Sequence, residues 1–128
     1  MYVPPGWPPE VRPPDSPDWE VSAVSWLLDA VPPDYRGYGV LRRHPLALAR
    51  MARQHVRASI EAAREGYRGA AVDLKDHLPP HAVEAVLDAY RQEGPRLVRL
   101  AESIALVERA LRGSISSRDS SDFSTNRA

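Results

Sequence analysis

Five arginines, Arg50, Arg53, Arg57, Arg64 and Arg68, recur at i, i+3, i+7, i+14 and i+18, with Glu61 at i+11. On an α-helix that spacing gathers them on one side. Arg42 and Arg43 extend the positive run upstream, and Arg36 joins it from the preceding turn. Guanidinium groups fork onto carboxylate and phosphate oxygens, so this stripe suits an acidic protein surface or a nucleic-acid backbone. Two plainer uses compete with recognition: a solvated helix face, and internal pairing with acidic residues elsewhere in the chain. Tyr35-Arg36-Gly37 and Tyr67-Arg68-Gly69 flank the run. A ring and a guanidinium beside a glycine can stack on a partner. Such a tripeptide also recurs by coincidence in an arginine-rich chain.

Other reactive constellations are missing from the sequence. His44, His55, His77 and His81 are the histidines, and Pro79 and Pro80 interrupt the helical spacing of the last two. With no cysteine and no H-E-x-x-H pattern, no metal site is expected. No G-x-S-x-G elbow and no glycine-rich phosphate loop is present. Glu61 and Glu65 pair only as surface neighbours. No catalytic residue and no cofactor is therefore nominated. A small helical enzyme with an unrecognised pocket stays open as an alternative.

The chain has 128 residues, 43% of them apolar, enough for one modest core. Its formal net charge is zero, but the charge is unevenly laid out. Residues 1–35 carry net −5, residues 36–68 net +6, and residues 69–112 net −1. Lys75 is the only lysine among 17 basic residues. That bias, with the alanine richness, points to a GC-rich genome and explains much of the arginine content. No apolar run approaches the roughly 20 residues that span a bilayer. The first residues also lack the basic and apolar regions of a secretory signal, so a cytoplasmic setting without membrane contact is expected.

The elements that must position the arginines follow from periodicity and breakers. Residues 1–15 are proline-dense and read as an extended arm around Trp7. Trp7 would either dock into a partner's groove or fold back to fill a gap between helices. A first helix is expected from a Ser16 cap and Pro17, with Trp19, Ala23, Trp26, Leu27 and Ala30 on one stripe. After turn residues at 34–39, a long helix runs from His44-Pro45 to Glu65, with Gly66 as its stop. It should bury Leu48, Ala49, Ala52, Val56, Ile60 and Ala63. Residues 66–79 read as a connection. A third helix starts near Pro80, Gly94-Pro95 breaks it, and a fourth runs to Gly113. The expected fold is all-α: a small four-helix bundle over 16–113, with the arm before it and a disordered serine-rich tail over 114–128.

The arm PPGWPPEVRPP, the segment from Trp19-Glu20 to Trp26-Leu27-Leu28-Asp29, PPDYRGYGVLRRHPLALARMA and the Leu-Pro-Pro helix start together resemble an uncharacterised group of short actinobacterial helical proteins with no known activity. The resemblance covers about residues 3–112. It implies a GC-rich bacterial source and a cytoplasmic setting, and it assigns no functional residue.

The expected function is therefore a non-enzymatic interaction module that binds an acidic protein partner. The residues nominated for it are Arg36, Arg42, Arg43, Arg50, Arg53, Arg57, Arg64, Tyr67 and Arg68, with Trp7 anchoring the arm. Nucleic-acid binding through phosphate contacts is the second reading. The sequence leaves the oligomeric state open.

Overall fold

Every Pro-Pro pair in the chain opens a turn. In the computed structural model the first proline of each pair accepts a hydrogen bond from the N–H three residues on. Trp7 donates to Pro4 (3.0 Å), Val11 to Pro8 (3.1 Å), Ser16 to Pro13 (3.1 Å), Tyr35 to Pro32 (3.0 Å) and Ala82 to Pro79 (3.0 Å). The second proline presets φ at the position where a β-turn or a helix start needs it. Gly6 (φ 86°) and Asp15 (φ 66°) then supply the positive φ of a type II turn. The arm expected to be extended is thus three successive turns.

The structure describes residues 2–126, with side chains for residues 2–116. It is all-helical: α1 (Trp19–Asp29), a 3₁₀ turn (Pro33–Gly37), α2 (Gly39–Arg43), α3 (Pro45–Leu74) and α4 (Pro80–Asn126). The side chains of the serine-rich tail from residue 117 onward, together with residues 127 and 128, lie outside the described residues. The α4 backbone continues to Asn126.

Four boundaries differ from the sequence expectation, the last being the end of the final helix, expected at Gly113 before a disordered tail and found at Asn126. α1 starts at Trp19 rather than at a Ser16 cap, because Asp15 and Asp18 are both left-handed (φ 66° and 61°) and hold 13–18 in turns. α3 passes through Gly66 and ends at Leu74. The third and fourth expected helices are one helix, α4, with Pro95 inside it. The chain divides into two units, one comprising residues up to Arg53 and from Glu102 onward, the other Gln54–Ala101.

In the first unit the buried apolar side chains come from the arm (Trp7, Val11), from α1 and the residues after it (Trp19, Ala23, Leu27, Leu28, Val31), from α2 (Leu41), from α3 (Leu48, Ala49, Ala52) and from α4 (Ile104, Val107, Leu111). Trp7 folds inward. Its Nε1 donates to the Val11 carbonyl at 2.9 Å, and its ring meets that of Trp19 at 6.2 Å. Ser103 Oγ donates to the Gly6 carbonyl at 3.0 Å, which ties the first turn to α4.

The second unit contains the later part of α3, the 75–79 connection and the first part of α4. Val56, Ala63 and Ala70 are buried at intervals of seven, as are Val83 and Leu97 on either side of half-buried Tyr90. Heptad spacing of this kind keeps one seam of each helix facing the other. Gly66 shows how closely they approach: a Cβ there would overlap the Tyr90 ring. Glycine at 66 therefore serves close packing, and the helix does not stop on it.

Trp7→Ala should lower the unfolding free energy by about 3 kcal/mol. The thermal midpoint should fall by roughly 10 °C in a calorimetric scan. An unchanged midpoint would instead make Trp7 a docking group.

Candidate functional site

Three of the nominated residues converge with two that sequence reasoning missed. Arg64, Tyr67 and Arg68 follow one another at i, i+3 and i+4, so α3 presents them as neighbours. With Ala63 they form one wall of a cleft of about 300 Å³. Tyr90, Arg91, Gly94 and Pro95 of α4 form the other. Gly66 makes room for the Tyr90 ring. No atom lies within 4 Å of where a Gly94 Cβ would stand, so that part of the wall is open space. Pro95 has no N–H, so the Arg91 carbonyl loses its usual i+4 helical donor beside the cleft.

The cleft is basic and aromatic. The Arg91 guanidinium lies 5.4 Å from the centre of the Tyr67 ring. Its Nη2 donates to Tyr67 Oη at 3.3 Å, and its Nη1 pairs with Asp88 and, at 3.4 Å, with Glu84. Hydrogen bonding to Tyr67, and next to Asp88, raises the Arg91 pKa above its ordinary value, so it is a cation at every accessible pH. Arg64 Nη1 donates to Glu61 Oε1 at 2.6 Å, with both side chains mostly exposed. An exposed pair of that kind contributes about 0–1 kcal/mol, so an incoming anion can take the place of Glu61 at little cost. Arg68 is exposed and has no ion pair among the described residues. Just beyond the cleft, Arg96 holds the Glu93 carboxyl below the usual carboxylate range.

The remaining nominated arginines divide by partner. Arg36 pairs with Asp29 at 2.8 Å, a link from the acidic first segment. Arg42, Arg43, Arg50 and Arg57 are exposed, with no ion pair among the described residues. Arg53 is turned inward, its Nε donating to Glu108 Oε2 at 2.7 Å. Arg112 Nη2 reaches Glu108 Oε1 at 3.0 Å from one turn along α4. Glu108 is 7% exposed, the one buried charged residue among those described. Burial pushes its carboxyl pKa up, and the two guanidinium hydrogen bonds outweigh that and leave it below the ordinary value.

No group of three or more His, Cys, Asp or Glu side chains among the described residues could hold a metal ion. No protein-family model matches the chain. Neither does any curated protein or solved structure. The site therefore stands on its own geometry. Tyr90 read only as a buried position of the third helix, and Arg91 was missed as a site residue, because Gly66 and Gly94-Pro95 read as helix breakers. The seven-residue series Val83, Tyr90, Leu97, Ile104 and Leu111 runs through that supposed break and was the signal that could have found them.

Glu108→Gln should cost roughly 1–3 kcal/mol at neutral pH, because Arg53 loses its buried acceptor charge. A depressed carboxyl stabilises the fold above its unfolded value, near 4.5, and loses that contribution as pH falls through the lower folded value. Denaturant titrations at neutral and strongly acidic pH should therefore show the deficit of the variant closing in acid. Pro95→Ala should restore the missing helical hydrogen bond and raise stability by about 1–3 kcal/mol in the same assay.

Proposed function

We propose that this protein is a non-enzymatic interaction module that binds an acidic segment of a partner protein in the Tyr67–Arg91 cleft. The observation that carries the reading is the convergence of Arg64, Arg68 and Arg91 on one cleft walled by Tyr67 and Tyr90. A carboxylate entering there meets planar donors that accept it in bidentate fashion. The tyrosine rings cover the apolar stem of an acidic side chain, and tyrosine with arginine is the pairing that most often carries binding energy at interfaces. Arg57 on the same helix, and Arg42, Arg43 and Arg50 in the first unit, add positive charge that speeds encounter with an acidic surface. Arg36 and Arg53 fall outside the binding set, since neither lines the cleft and Arg53 is committed to the buried Glu108. Trp7 falls outside it as part of the core.

A cytoplasmic setting belongs to the same proposal. Among the described residues no helix is long and apolar enough to cross a membrane.

Fluorescence anisotropy with a labelled glutamate-rich peptide, and in parallel with mixed-sequence RNA and DNA oligonucleotides, tests the reading. The expected result is peptide binding that weakens as salt is raised. Arg68→Glu should reduce it by about tenfold, equivalent to about 1.4 kcal/mol. Tighter binding of the oligonucleotides, with a steep salt dependence, would move the function to nucleic acid. Peptide binding that ignores Arg68→Glu would remove the cleft from the interface.

A further inference from the structure

Where α3 passes into α4, the second unit carries another concavity with different chemistry. Val72, Leu78, Val83 and Leu87 line a groove of about 380 Å³, interrupted by Lys75 from the α3 side and Glu84 from the α4 side. Val72 is 68% exposed, on a helix whose buried positions in this unit are Val56, Ala63 and Ala70. A pair of helices has one seam to close, and apolar side chains beside that seam need a further layer to cover them. The groove carries one positive and one negative charge on opposite walls, so it selects neither an acidic nor a basic partner. It is complementary to itself.

We propose that this groove seats the same groove of a second copy of the chain. In an isologous contact a two-fold axis sets the α3 wall of one copy against the α4 wall of the other. Lys75 then faces the partner's Glu84, and the symmetry repeats the pair. Glu84 is available for this, because its contact to Arg91 is long at 3.4 Å and largely exposed. Val72, the more exposed of the two exposed large apolar side chains in the lining (68% against 36% for Leu78), enters the opposing groove. The formal net charge of zero removes the long-range repulsion that would otherwise keep two copies apart. The groove shares no lining residue with the Tyr67–Arg91 cleft and meets it only where Glu84 touches Arg91, so a variant at Val72 separates dimerisation from acidic-peptide binding.

Sedimentation velocity of the full chain, from low micromolar to near-millimolar concentration, tests the proposal. The unaltered protein should pass from monomer to dimer across that range. Val72→Glu should abolish association while leaving helical circular dichroism and acidic-peptide binding unchanged, since the position is solvent-exposed. Lys75→Glu and Glu84→Lys should each weaken the dimer by about tenfold, equivalent to about 1.4 kcal/mol. The combined K75E/E84K chain should recover most of that loss, because each inter-copy pair is reinstated with its signs reversed. A monomer at every concentration would overturn the proposal and leave the groove to a different chain. Association untouched by V72E, or a double variant no better than the singles, would overturn it equally.

Discussion

The second unit depends on how closely α3 can approach α4, and that approach is set by side chains of little bulk. Gly66 lies on the α3 seam between buried Ala63 and Ala70. The Tyr90 ring uses the space that any side chain at 66 would need. Because the ring lies against the α3 backbone, the residues beside it on α4 are brought near the α3 residues beyond Gly66. Arg91 consequently reaches Tyr67, and the two form a stacked, hydrogen-bonded pair. The cleft is thus a by-product of close helix packing. Bulk at position 66 would spread the helices and separate its two walls.

In the first unit the organising group is a single buried carboxylate. Glu108 sits where an apolar residue would otherwise be expected, next in sequence to buried Val107 and three residues before buried Leu111. A charge there is tolerable only when its lone pairs are met by donors. Arg53 and Arg112 meet them from two helices. That use of Arg53 breaks the arginine stripe into parts with different purposes, one held internally and the rest turned to solvent. Spacing alone places all five arginines on one face. It cannot report that one of them meets a carboxylate fifty-five positions away.

The legible parts of the fold are those written in apolar period. The stripe Leu48, Ala49, Ala52, Val56 and Ala63 is buried as its spacing implies, and α3 begins at Pro45 after His44 as the proline requires. Ile60 of the same stripe is half-buried. Punctuation misled where a residue has two meanings. Glycine signals a helix end when its positive φ is needed and close packing when its missing Cβ is needed, and Gly66 is the second kind. Proline within a helix costs about 3 kcal/mol in isolation, a sum that the long seam of α4 on either side of Pro95 absorbs. The α3 half of the cleft was visible as Arg64, Tyr67 and Arg68. The α4 half depended on reading through Gly94-Pro95, which local propensity forbids and tertiary packing allows.

The five Pro-Pro turns carry a consequence for the denatured chain. Ordering a residue costs roughly 1–2 kcal/mol of backbone entropy, and the arm sets the burial of Trp7, Pro8 and Val11 and a few polar contacts against that cost. Each proline lowers the cost in advance, because the unfolded chain already samples few values of φ at that position. The arm is therefore ordered as much by what its unfolded state lacks as by what its folded state gains. An alanine in place of exposed Pro5 or Pro9, the second proline of the first two pairs, would keep the hydrogen bonds of the arm and still loosen it, by enlarging the ensemble from which it folds.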